Sequence, residues 1–158
     1  MAIISRGFKG RRPAGDPTRL PPGQYLTDDF PVLSAGPTPH TPLEQWDFSV
    51  VGEVDEGRRF TWEEFRALPN EEVTADIHCV TKWSKLDTVW RGVSVETLLD
   101  GVETSAEYVT AWSDGGYTTN LPLEDVREGK AWIAFEFDDE PRRWTWEEFR
   151  AAESTSTA

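Results

Sequence analysis

Proline and glycine recur so often in the first 43 residues that neither a helix nor a central strand has room there. PAGDPTRLPPGQ at 13–24 and SAGPTPHTP at 34–42 break every regular pattern. The fold must be built from the residues beyond position 43, and residues 1–43 read as an extended arm. Between the two breaker runs stands Phe30-Pro31-Val32-Leu33. A purely flexible linker has no need of that apolar group, so the arm is expected to lie over a folded body with Phe30, Val32 and Leu33 as anchors.

The pattern changes at Trp46. WDFSVVGEV alternates Trp46, Phe48 and Val50 with polar positions, as a half-buried strand does. TWEEFRALP predicts a short helix with Thr61 as its cap, Glu64 three residues on and Pro69 just past the end. VTADIHCV reads as the next strand, with Cys79 inside it. SVETLLDGV predicts a helix beginning near Ser94 and stopped by Gly101. EYVTAWS and TTNLPL flank the turn DGGY as two further strands, LEDVREG is a short helical piece, and AWIAFEF is a strand. Strands interrupted by short helices argue for an α+β fold with a mixed sheet.

A repeat interrupts this order. DEGRRFTWEEFRA at 55–67 recurs as DEPRRWTWEEFRA at 139–151, with only Gly57/Pro141 and Phe60/Trp144 differing, and the similarity stops abruptly on both sides. An old domain duplication leaves diffuse similarity over a whole unit, so a sharp block reads as a copied segment. The expected organisation is an arm over 1–43, a domain over 44–141, and a duplicated helix segment with a polar tail over 142–158.

Composition bounds what such a chain does. At 158 residues it is most simply one domain, a size that buries roughly 70% of its unfolded surface. Eight tryptophans and eight phenylalanines supply large core side chains despite a hydrophobic content of 37%. A net charge of −13 repels nucleic acid and anionic membranes and suits a solvated surface. Arg11-Arg12 is not followed by an apolar run of signal length, and no stretch reaches membrane-spanning length, so a cytoplasmic location is expected. A single cysteine excludes an internal disulfide.

That cysteine, Cys79 in DIHCVTKW, admits two readings on the residues alone. It is a small buried apolar residue, or it is a thiolate favoured by the positive field of His78, Lys82 and Lys85. Strand alternation points His78 to the opposite face, which weakens a Cys-His hydrolase. A zinc site would need further cysteines or histidines at ligand spacing.

The wider pattern HCVTKWSKLDTVWRGVSVETLL resembles the molybdopterin-binding domain of sulfite oxidase-like oxidoreductases. The likeness is closest to the small bacterial branch related to the methionine-sulfoxide reductase catalytic subunit. It is carried by Cys79, Val80, Trp83, Ser84, Trp90 and Gly92, the last two read as a Trp-x-Gly turn into a helix. Matching segments run from Arg19 to Pro141, among them WSDGGYTTNLPLEDV and AWIAFEFDDEP. The resemblance implies a molybdenum-molybdopterin cofactor whose metal is bound by the Cys79 thiolate, and oxygen-atom transfer or related two-electron chemistry on a small-molecule substrate. It places His40, Thr81, Lys82 and Asp114 near the pterin or its phosphate. Three of them also have an ordinary reading: His40 and Lys82 as solvent-exposed side chains, and Asp114 as a turn aspartate before Gly-Gly. With no haem module in the sequence, electrons would pass to an external partner.

The family pattern continues past AWIAFEFDDEP with a Gly-x-Pro-x-Arg loop and a lysine-rich turn that bind the cofactor's phosphate. Here the second RRWTWEEFRA and a polar tail stand instead. The expectation is a domain shortened on that side, with a sheet edge left open to oligomerisation. The alternative to an enzyme is a cofactor-free relic of the domain acting as an interaction module.

Overall fold

The computed structural model of the protein describes residues 18–28, 30–31, 40–139 and 142–145. In chain order the elements are β1 (Tyr25–Leu26), β2 (Asp47–Val50), β3 (Arg58–Thr61), α1 (Trp62–Ala67), β4 (Glu71–His78), β5 (Trp83–Ser94), α2 (Val95–Leu98), β6 (Tyr108–Trp112), β7 (Thr118–Pro122), β8 (Trp132–Asp139) and β9 (Arg142–Thr145). Single 3-10 turns occupy Leu43–Gln45 and Leu123–Asp125. The architecture is α+β with a mixed sheet, as the pattern of short strands and helices implied.

The twelve residues of β5 form the spine. Antiparallel β4 runs along one edge. The other edge takes β1, parallel, at Trp83 and Ser84, and then antiparallel β8 from Val89 to Ser94. Beyond β8 lies β9, built from the RRWT of the second repeat copy; the rest of that copy, from Trp146 on, lies outside the described residues. The β2–β3 and β6–β7 hairpins are separate two-stranded sheets.

The helices form where their caps dictate. The Thr61 hydroxyl accepts from the Glu64 amide while the Glu64 carboxylate accepts from the Thr61 amide, so α1 begins with two of its orphan donors satisfied. Ser94 caps α2 through the Thr97 amide at 3.1 Å, and Gly101 follows with φ +70°. Helix α1 buries Trp62 and Phe65 against Val93, Leu98 and Phe135, with Trp46, Phe48 and Phe60 packed around them.

A second aromatic cluster joins the arm to the sheet. The Phe30 ring stands edge-on to Trp83, Trp90 and Phe137, at 6.0, 6.2 and 5.0 Å between centroids. Lys85 is buried in this cluster, its Nζ 4.5 Å from the Phe30 centroid and donating to the Asp28 carbonyl at 2.9 Å. Of the three expected anchors, Phe30 is therefore packed on the sheet, while Val32 and Leu33 lie outside the described residues. Two irregularities shape β5. Its pairing with β4 slips between Ala75 and Ile77, and its pairing with β8 slips between Arg91 and Gly92. Trp90 and Gly92 thus lie within a strand, not on a turn into a helix.

Candidate functional site

Cys79 is placed by a turn. Strand β4 ends at His78, and the chain reverses through Cys79-Val80-Thr81-Lys82 into β5. The Lys82 amide donates to the Cys79 carbonyl at 3.0 Å and the Cys79 amide to the Trp83 carbonyl at 2.9 Å. Lys82 sits in the left-handed region with φ +72°, the residue that closes a three-residue hairpin loop. Reading Cys79 as part of a strand is thereby corrected: turn chemistry overrides alternation over the last two residues of VTADIHCV.

At the tip Val80 is 94% exposed, while Cys79 itself is half-buried. The Cys79 Sγ lies 3.2 Å from the Thr81 hydroxyl, so Cys79 and Thr81 meet as a pair. The Lys82 side chain is exposed and forms no salt bridge among the described residues. Expected residues Cys79, Thr81 and Lys82 thus share one turn.

The arm braces that turn. The Tyr25 amide donates to the Lys82 carbonyl and the Thr27 amide to the Ser84 carbonyl, each at 3.0 Å. The Gln24 side chain reaches the turn directly, its Nε2 donating to the Cys79 carbonyl at 3.2 Å. Wholly buried Ser84 donates its hydroxyl to Gln24 Oε1 at 2.5 Å. With that proton committed, the Ser84 oxygen is an acceptor for His78 Nδ1 at 2.8 Å, so the hydrogen resides on Nδ1. His78 is turned to Ser84, across the hairpin from its own strand.

Asp114 is tied to Thr41, the residue that follows His40. The Thr41 hydroxyl, next to exposed His40, donates to Asp114 Oδ2 at 2.5 Å. Asp114 lies in the β6–β7 turn, where the Gly116 amide donates to the Ser113 carbonyl at 2.8 Å and Gly116 takes φ +77°. That hairpin exposes Tyr108, Trp112 and Tyr117.

At the base of the β4–β5 hairpin, Arg19 clamps the first irregularity. Its guanidinium donates to Asp76 Oδ1 and to Asp87 Oδ1, each at 2.6 Å, and the Asp87 amide donates to Asp76 at 2.9 Å. The Arg19 hydrogen bonds, followed by that backbone donor, hold the Asp76 carboxyl below its usual range. Gln24, Thr41 and Ser84 were not singled out as site residues from sequence. Gln24 stands in PPGQ with nothing to mark it, whereas Ser84 is one of the residues that carry the family likeness.

Among the described residues no group of three or more His, Cys, Asp and Glu is placed to hold a metal ion, and no helix is long and apolar enough to cross a membrane. Comparison with known proteins defines the class: the model of the oxidoreductase molybdopterin-binding domain matches residues 35–147, and the chain belongs to that family. Within it, the chain is similar to the uncharacterized oxidoreductase YuiH of Bacillus subtilis (strain 168). The two are 38% identical over 137 residues, covering 85% of this chain and 69% of that protein.

Proposed function

We propose that this molybdopterin-binding domain carries molybdenum with the Cys79 thiolate as the protein's own ligand, and that it serves oxygen-atom transfer or a related two-electron reaction on a small-molecule substrate. The observation that supports the reading is the placement of the only cysteine on a turn hydrogen-bonded both internally and to the arm, within a domain of this family.

The donor set fits the group. A thiolate is a soft ligand, suited to a metal already held by dithiolene sulfurs. The Thr81 hydroxyl at 3.2 Å is a neutral donor for that thiolate. Trp83 Nε1, buried at the start of β5, has no hydrogen-bond partner among the described residues. When bound, the cofactor supplies the redox chemistry itself.

The chain's residues bind and orient. Cys79 presents sulfur from a constrained backbone, and Thr81 places a hydroxyl beside it. Lys82 offers a cation to the pterin's phosphate. Asp114, which accepts from Thr41, and the neighbouring His40 offer polar contacts to the pterin. Electrons pass to or from an external partner.

The test is expression in a host that makes the molybdenum cofactor, with molybdenum and pterin measured per chain beside a Cys79→Ser control. Near-stoichiometric metal, with an altered or unstable centre in the control, is the expected result. A folded chain without metal or pterin would sink the enzyme reading and favour a cofactor-free interaction module.

A further inference from the structure

Among the described residues of the arm, Gln24 reaches the Cys79 turn with its side chain, and that side chain is oriented by a buried hydroxyl. We infer that Gln24, held by Ser84, is a positioning residue that sets the direction in which Cys79 presents its sulfur; its functional meaning rests on Cys79 being the metal ligand.

The geometry leaves Gln24 one orientation. Ser84 is wholly buried and donates to Gln24 Oε1 at 2.5 Å, so the amide's nitrogen end faces the turn and donates to the Cys79 carbonyl at 3.2 Å. That carbonyl already accepts from the Lys82 amide at 3.0 Å. Two donors occupy both lone pairs of one oxygen and fix the peptide plane between Cys79 and Val80. The plane sets the backbone torsion beside the bond that carries Cβ and Sγ. On the far side of the turn, the Tyr25 amide holds the Lys82 carbonyl. Arm and turn are therefore locked at both ends. Without the lock, a loop closed by a lysine at φ +72° relaxes easily.

Because Cys79 is the only cysteine, a thiol reagent reports on it alone. Two substitutions separate donation from bulk. Gln24→Ala removes both ends of the amide. Gln24→Glu keeps the length and an acceptor for Ser84, but sets a carboxylate oxygen against the Cys79 carbonyl. In cofactor-free protein, disulfide-reagent labelling of Cys79 and hydrogen exchange at the Lys82 amide should both accelerate about fivefold in either variant, the factor one net hydrogen bond contributes. Exchange at the Leu68 amide, at the end of α1, should not change. In protein from a cofactor-making host, the thiolate-to-metal absorption band should shift in Gln24→Glu.

If Gln24→Glu labels and exchanges at the native rate, Gln24 only fills space and the inference fails. Equal acceleration at Leu68 would mean general loosening and would also overturn it. Should Gln24→Ala not fold, Gln24→Glu carries the test. Absence of molybdenum from the native chain would remove the cofactor reading, while the labelling and exchange results would still decide whether Gln24 orients the turn.

Discussion

Thr61 and Glu64 exchange hydrogen bonds across the first turn of α1, and the six residues of that helix bury Trp62 and Phe65. So short a helix has little stability of its own, and its start depends on the cap. Thr61→Ala is expected to cost about 1 kcal/mol, seen as a lower urea midpoint with an unchanged slope. Lys82 presents the opposite case. Its φ of +72° is a conformation glycine adopts without strain. Lys82→Gly should therefore stabilise the cofactor-free protein, by up to about 1 kcal/mol, while removing the cation proposed to meet the pterin phosphate. A raised melting temperature with lowered pterin retention is the expected pair of results; a lowered melting temperature would show that the lysine side chain, not the backbone, holds the turn. The capping pair was readable directly from TWEE. The turn at Cys79 was not, because Val-Thr-Lys lacks the Asn-Gly or Asp-Gly that usually announces a hairpin.

At the scale of elements, helices declared themselves through caps and stops, whereas the strand that organises the sheet did not. WSKLDTVWRGVS carries Lys85, Asp87 and Arg91 among its apolar residues, and alternation fails along it. The physical reason is its two irregularities. Asp87 takes φ +56° opposite the slip at Asp76, and the register to β8 shifts at Gly92, so no single period of two runs through all twelve residues. Gly92 itself marks a close approach. A Cβ there would stand 2.7 Å from the Ile133 carbonyl oxygen and 2.9 Å from the Ala134 Cα, both backbone atoms of the paired strand. Neither can rotate away, so Gly92→Ala must push β8 from β5. A loss of about 1–3 kcal/mol is expected, the range for overpacking a close-fitted site, together with faster amide exchange along β8. Exchange confined to the loop before Trp132 would contradict this account of the glycine.

For the molecule as a whole, the arm is joined to the domain by polar contacts at Arg19 and Gln24 and by the aromatic packing of Phe30. The sequence implied the Phe30 contact through its apolar character. It did not imply the Arg19 clamp, since one arginine among sixteen basic residues carries no mark of its target. The clamp makes arm attachment dependent on pH. Asp76 ordinarily titrates near 3.8, and in the folded protein the Arg19 bonds hold it lower. A carboxyl depressed on folding contributes stability that is present above its unfolded value and lost as pH falls through its folded value. Arg19→Ala should therefore lower the melting temperature at pH 7, and the gap from the native chain should narrow as pH falls below 4 and Asp76 becomes protonated in both. The carboxylates are partly exposed, at 25% and 68% of their side-chain surfaces, so the effect should be modest and should shrink in 1 M salt. Loss of the clamp should also speed exchange at the Tyr25 and Thr27 amides, which bind the turn of Cys79 and the start of β5. A constant melting-temperature gap from pH 7 to pH 3 would mean that Arg19 acts by packing alone, and unchanged exchange at Tyr25 would mean that the arm reaches the Cys79 turn without its help.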